Sequence, residues 1–396
     1  MLNRLLLVGL LVCAAIYAMG DEADRRRADA EAKQAFLNLN FFSEGRGMHT
    51  SPGLINFYKK TAGLGVVVNT VKNRWGFNVV GESKIVGLFD EQYKGMNVAV
   101  LGCVACHSGR AAGNFIVGLG NKRIDVYQVG VDLLRVQKLY DKVNGDKGED
   151  HKTVEQSAIA FASVLANENV KNLAQGLVPV THVREWFYRQ AGLELPKDIT
   201  RGAVRVPALW GYGVKRKLGQ FSDGYGVGSL PGWAIAVELV GGQIPETVRK
   251  YLPKVEGAEE ALGHFLPPEY PFAVDQNKAS QGRGVFARNC QGCHGSYERD
   301  TAGVPIFKEP RWIKIEAVGT DPDRLAANTP QFNELVRNSP LKDIIQINDF
   351  GRGYFAPRLE GVWARFPYLH NASVPNLTAL LSAPSARPRL FALDDA

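Results

Sequence analysis

Two short runs carry the chemistry of this chain, Cys103-Val104-Ala105-Cys106-His107 and Cys290-Gln291-Gly292-Cys293-His294. Each reads Cys-x-x-Cys-His, the attachment signature of c-type haem. On one helical turn, residues at i, i+3 and i+4 share a face. Two thiols can then add to the vinyl groups of a porphyrin while the following imidazole reaches the iron. Two Cys-x-x-Cys redox pairs, or four thiolates around one zinc, would use the same cysteines. Neither explains a His directly after the second Cys in both copies. The expected cofactors are two covalently bound haem c groups. Cys103, Cys106, Cys290 and Cys293 would attach them, and His107 and His294 would ligate the irons.

The second axial ligand decides what such a haem does. With two strong ligands it shuttles electrons, whereas an open sixth position can take oxygen or peroxide. Outside the motifs the histidines are His49, His151, His182, His264 and His370, and the methionines are Met1, Met19, Met48 and Met96. No methionine lies beyond the second motif, which excludes a His/Met site built within that part of the chain. His370 stands in Pro367-Tyr368-Leu369-His370-Asn371-Ala372-Ser373-Val374-Pro375, downstream of Cys290, and is the expected second ligand of the second haem. For the first haem no residue stands out. His151 reads as exposed, His182 opens a helix, His264 precedes a linker, and Met96 lies too close before Cys103 to reach over the ring. An open or water-bound first haem is the consequence.

Elements must hold these residues. Met96 to Val100 reads as an apolar strand entering the first motif, and the Gly-rich run from Gly109 to Asp125 would wrap the haem edge. Helical periodicity appears at Asp21–Leu39, Leu54–Thr61, Val131–Val143, Thr153–Leu173, Thr181–Ala191 and Leu230–Val240. From Gly63 to Gly87 the Gly-punctuated, β-branched pattern predicts loops and short strands. Three prolines within Pro267 to Pro271 mark a linker. Beyond it Asn277–Asn289 forms a helix leading into Cys290, and Ser373 is a plausible N-cap for a last helix. The fold class expected is mostly α, with two cytochrome-c-like haem domains, extensive loops and few short strands. The divisions are a signal peptide or anchor at 1–20, an N-terminal extension at 21–95, a first haem domain at 96–264, a linker at 265–276 and a second haem domain at 277–396.

Composition sets the outer bounds. At 396 residues the chain exceeds one comfortable hydrophobic core. Its 45% hydrophobic and 22% charged residues are those of an ordinary globular protein. Arg4 followed by the apolar run Leu5 to Met19 is short for a membrane span, which needs about twenty residues, and fits a secretory signal with Ala18-Met19-Gly20 at its end. An uncleaved anchor is the alternative. Of five cysteines, Cys13 lies in this segment and the other four belong to the motifs, so none is left for a disulfide. The expected location is the bacterial periplasm or the secreted fraction. A net charge of +7 without a basic stripe interleaved with aromatics argues against nucleic acid as a partner.

The stretch Pro357-Arg358-Leu359-Glu360-Gly361-Val362-Trp363-Ala364-Arg365-Phe366-Pro367-Tyr368-Leu369-His370-Asn371, continued by Arg387-Pro388 and Phe391, resembles the end motif of the di-haem family that includes the bacterial rubber oxygenases. That family is distantly related to bacterial cytochrome c peroxidases and MauG-type enzymes. Gly319-Thr320-Asp321-Pro322 and the Cys103-to-Asp125 run are also similar. The resemblance implies an oxygen-reactive first haem and a bis-histidine second haem with His370 as its distal ligand. It also implies a tryptophan coupling the two, matched by Trp210 in Val206-Pro207-Ala208-Leu209-Trp210-Gly211, and an aromatic over the reactive haem, matched by Tyr225. The stretch from Cys290 to His370 is compact, whereas rubber oxygenases carry extra segments there that help build the substrate cavity. The expectation is an oxidoreductase acting with oxygen or peroxide on a small apolar, alkene-type substrate, with a redox protein as a further expected partner. The alternatives are a di-haem peroxidase-like enzyme and a non-catalytic electron-transfer cytochrome.

Overall fold

Helix carries most of the regular structure, 45% against 14% strand, so the mostly-α expectation holds. The structure is a computed structural model that describes residues 22–49, 63–144, 148–167, 170–179, 181–196, 202–212, 236–237, 239–299, 305–308, 311–347 and 352–393. The leader at 1–20, the helix expected at Leu54–Thr61, most of that expected at Leu230–Val240, and Tyr225 lie outside those residues. Among the described residues every strand belongs to a two-stranded antiparallel sheet, and no helix is long and apolar enough to cross a membrane.

Helix α1 (22–37) buries Ala32 and Phe36, one turn apart. Helix α2 (Leu64–Asn73) stands where the sequence predicted loops and short strands. Val67 and Val71, both buried, give it a period of four that Gly63 and Gly65 obscure in the sequence. The short pair β1 (Val79–Val80) and β2 (Lys84–Ile85) follows. Next comes the hairpin β3 (Leu88–Tyr93) and β4 (Met96–Leu101), which delivers the chain to Cys103 as the apolar run predicted. A second hairpin, β5 (Ser108–Ala111) and β6 (Asn114–Val117), turns back over the first motif.

Helices α3 (Val126–Asn144) and α4 (Glu149–Leu165) pack against each other. The latter stops eight residues before the predicted Leu173, because the chain turns to bury Val170. Strand β7 (Leu177–Val178) pairs with β8 (Val204–Arg205), and α5 (Thr181–Gln190) lies between them in sequence. Helix α6 (Pro245–Leu262) begins with Pro245 in its first turn and tolerates Pro253 inside it. Helix α7 (Gln276–Asn289) is capped by Asp275, whose carboxylate accepts from the N–H groups of Asn277 and Lys278 at 3.0 and 3.1 Å. One further turn, α8 (Gln291–His294), carries the second motif.

The C-terminal part contains β9 (Ser296–Arg299) paired with β10 (Pro305–Lys308), and β11 (Trp312–Lys314) paired with β12 (Gly353–Phe355). Helix α9 (Pro330–Arg337) is capped by Thr329. The last helix, α10 (Leu377–Leu380), is capped by Asn376, not by the expected Ser373. Asn376 accepts from the Ala379 N–H at 2.8 Å, whereas the Ser373 N–H donates to Asn371 Oδ1 at 3.2 Å.

Three large buried clusters hold these elements together. One joins Val67 and Val71 of α2 to Val129 and Leu133 of α3, Phe161 of α4, and Ala105 within the first motif. A second joins Phe41, Phe187 and Tyr251 to Phe332 and Val336 of α9. The third joins Phe36, Val104, Leu119, Trp210, Leu262 and Ala364. Residues on both sides of the 265–276 run therefore share buried contacts. Helix α7, by contrast, buries none of its residues.

Gly87 sits against the first motif with φ +80°, and a Cβ there would lie 2.4 Å from the Ala105 nitrogen. Left-handed strain and overpacking act together at this position, so Gly87→Ala should cost about 2–5 kcal/mol. Denaturant unfolding measures it, and an unchanged midpoint would contradict the packing. His182, at the start of α5, is buried, and desolvation lowers its pKa to about 4. The unfolded chain binds this proton near the ordinary value of about 6.5. Stability is therefore full above that value and falls as pH drops toward 4. Between about pH 7.5 and 5 the wild type should lose about 2 kcal/mol more than His182→Gln, read from urea midpoints. Parallel losses in the two proteins would show that His182 is not the group responsible.

Candidate haem centre

Both motifs fold into the same turn. The carbonyl of Cys103 accepts from the N–H groups of Cys106 at 3.2 Å and His107 at 2.9 Å, and that of Cys290 accepts from Cys293 at 3.1 Å and His294 at 2.9 Å. The paired thiols and the imidazole of each motif thus share one side of a single turn, as the spacing requires. The first turn is closed over by the hairpin β5–β6. The Gly118 N–H donates to the carbonyl of His107 at 2.9 Å, and the Asn121 N–H to that of Cys106 at 2.7 Å. Among the described residues no three of His, Cys, Asp and Glu converge in a way that could hold a metal ion. The four thiols therefore do not form one zinc site.

The imidazoles are oriented by backbone carbonyls. His107 Nδ1 lies 3.0 Å from the carbonyl of Pro207, His294 Nδ1 2.9 Å from that of Pro357, and His370 Nδ1 3.2 Å from that of Ala203. A carbonyl can only accept, so each Nδ1 carries the proton and each Nε2 keeps its lone pair. This is how metal-ligating histidines are commonly held. Desolvation lowers the pKa of His107 to about 4, against the opposing pull of the Pro207 carbonyl. Its ring is therefore neutral at neutral pH. His370 Nε2 is buried without a hydrogen-bond partner, an expense that an incoming metal would remove. His182 Nε2 is also buried and unpartnered, so that feature alone does not identify a ligand. The carbonyl-held Nδ1 separates His370 from it.

One segment, Ala203 to Trp210, bears on all three rings. Ala203 holds His370 and Pro207 holds His107. Trp210, buried, donates its indole N–H to the carbonyl of Glu360 at 2.9 Å. Glu360 lies three residues after Pro357, which holds His294. Trp210 therefore sits between the two motif anchors, under the Arg365 guanidinium at 5.3 Å from its ring centroid. Tyr297, just past the second motif, accepts from the Leu359 N–H at 2.7 Å and fixes the same stretch.

The other candidates fall elsewhere. His151 is buried, not exposed as its polar neighbours implied, and stands 3.9 Å from Glu155 one turn along α4. His49 is fully buried, bridges Val100 and meets the Phe42 ring edge-on at 5.3 Å. His264 is exposed after α6, and Met96 stands at the far end of β4 from Cys103. The carbonyl anchors Ala203, Pro207 and Pro357 were missed, because a backbone acceptor leaves no residue signature. The one trace is a Pro three residues ahead of both Trp210 and Glu360.

The donor set fits a c-type haem at each motif. Thiols and a neutral imidazole share a turn, and α7 presents Val285, half-exposed at 51%, ahead of Cys290 for a flat apolar group to cover.

Known proteins agree in part. The family described as RoxA-like, cytochrome c-like matches residues 353–392, which include Pro357, Glu360, Arg365 and His370. The chain is 34% identical over 154 residues to the uncharacterized protein y4iM of Sinorhizobium fredii (strain NBRC 101917 / NGR234), covering 32% of this chain and 33% of that protein. It is 28% identical over 188 residues to the uncharacterized protein y4iJ of the same organism, covering 34% and 31%. The matched region spans about a third of the length of these curated relatives. The chain carries a RoxA-like cytochrome c-like domain at its C-terminus, and such a domain implies haem c.

Proposed function

We propose that this chain is an exported di-haem c-type oxidoreductase that uses oxygen at the His107 centre to oxidise or cleave an apolar, alkene-type substrate. In this reading His294 and His370 would hold the second haem. A haem held there would supply one-electron chemistry to the His107 site or tune it. The carrying observation is the carbonyl tie that orients His107, His294 and His370 alike. Among the described residues His107, His294 and His370 share the carbonyl-held Nδ1. In this reading His294 and His370 would serve one haem, and the haem held by His107 would keep a position open for oxygen.

A haem with one open position supplies reversible electron uptake and the activation of oxygen or peroxide. The chain's own residues supply the rest. Pro207 fixes the His107 ring so that Nε2 presents its lone pair in a constant direction. Val104 and Leu119, both buried beside the first motif, keep water from its protein side. Trp210 gives a short covalent and hydrogen-bonded route from Pro207 to Glu360 and on to Pro357. The partners are a small apolar substrate, oxygen or peroxide, and a redox protein. Export places the chain in the periplasm or outside the cell, anchored if the leader is retained.

Visible and EPR spectra of the purified holoprotein, with and without imidazole, test this reading. One low-spin haem that ignores imidazole and one haem that responds to it are expected. His370→Ala should convert the first of these to high spin. Two unresponsive low-spin haems would end the oxygenase reading and leave an electron carrier.

A further inference from the structure

Beside the His370 loop lie two half-buried arginines, Arg205 and Arg365, that pair with backbone carbonyls and with no carboxylate among the described residues. A cleft there is lined by Asn121, Lys122, Gln175, Arg205 and Arg365, with Ala372 at one edge. One guanidinium nitrogen of Arg205 donates to the carbonyls of Arg365 and, at 3.3 Å, Pro367. Arg365 donates to the carbonyls of Arg358 at 2.8 Å and Glu360 at 2.9 Å, and its Nε is buried with no partner. Among the described residues neither guanidinium meets a carboxylate. The nearby Glu360 carboxylate is held by Arg358, 2.9 Å from its Nε. Lys122 adds an ammonium over the Phe366 ring at 3.5 Å. Desolvation lowers both Arg205 and Arg365 to about 10, and Arg205 lowers Arg365 further by like charge. Both remain cations at neutral pH. Backbone carbonyls satisfy N–H groups but cancel no net charge, and unpaired buried charge is costly.

We propose that Arg205 and Arg365, with Lys122 beside them, receive a propionate of the haem that His370 ligates. The proposal rests on the reading of His370 as that haem's distal ligand. The cations belong to the run that delivers His370. The Arg205 N–H donates to the carbonyl of His370 at 2.8 Å, and its side chain grips the carbonyls of Arg365 and Pro367. A guanidinium and a carboxylate match as paired donors and acceptors, and the pair is stronger away from water. Neutralising the propionate also removes negative charge from beside the iron, which raises the reduction potential of that haem.

The test is a spectroelectrochemical titration of holoprotein carrying Arg365→Gln, Arg205→Gln or the matching Lys substitutions, with resonance Raman of the propionate modes. In the Gln variants the haem whose low-spin signal disappears in His370→Ala should shift to lower potential. The Lys variants should stay nearer the wild type, and the propionate mode should move with the potential. Unchanged potentials and modes in spectroscopically intact Gln variants would overturn the proposal, as would a shift confined to the other haem. A saturable spectral change on adding acetate to the wild type would also overturn it, because the cluster would then be open to solute anions. If the Gln variants fail to load haem, the propionate mode of Arg365→Lys carries the test. A low-spin signal that survives His370→Ala overturns the ligand reading separately, since the Raman mode still reports whether the arginines hold a propionate.

Discussion

An imidazole can face a metal reliably only when its other nitrogen is tied down, and the architecture around both motifs follows from that constraint. Each tie here is a hydrogen bond to a main-chain carbonyl, worth about 0.5–1.5 kcal/mol net. Its value lies in direction more than in stability. Two of the three acceptors, Ala203 and Pro207, come from one segment that flanks β8 on both sides. For that segment to lie close enough, Gly120 must present bare backbone, since a Cβ there would stand 1.9 Å from the carbonyl of Val206. The sheet pair β7–β8, the glycine and the prolines thus all serve the aim of three rings.

Charge is arranged around the same segment with equal economy. Arg205 leaves β8 toward the His370 loop, and Arg365 returns from that loop to lie over Trp210. The exposed ion pairs elsewhere, such as Arg249 with Asp343 at 2.8 Å, contribute little to stability. The half-buried Arg205 and Arg365 decide more, because charges partly withdrawn from water are screened less.

Much of this was legible in the sequence, and the failures have physical causes. Cysteine spacing specified both motif turns, a continuous apolar run specified β4, and the run Asn277–Asn289 ahead of Cys290 specified α7, which begins one residue earlier. The sequence also put His370 on the loop before the last helix, where the structure has it. Helix α2 was hidden because Gly63 and Gly65 interrupt the pattern that Val67 and Val71 make. His151 read as exposed because its neighbours are polar, while its own position on α4 faces inward. Asn376 displaced Ser373 as the cap because the chain makes one more turn before α10 begins. The carbonyl anchors could not be read at all, since main-chain acceptors are the same in every residue.

The two motifs differ in how the fold surrounds them. Cys103 and Cys106 pack against the clusters that close the molecule, with Val104 and Ala105 buried between them. Cys293 is exposed, and its helix turn lies outside those clusters. A machinery that adds thiols to vinyl groups needs access to both partners at once. On the proposed di-haem reading, attachment at the first motif belongs to the open chain, before α2, α3 and α4 assemble. Attachment at the second can follow on a nearly finished fold. On that reading the difference in burial amounts to an order of events, in which the protein would mature from the His107 end toward the His294 end.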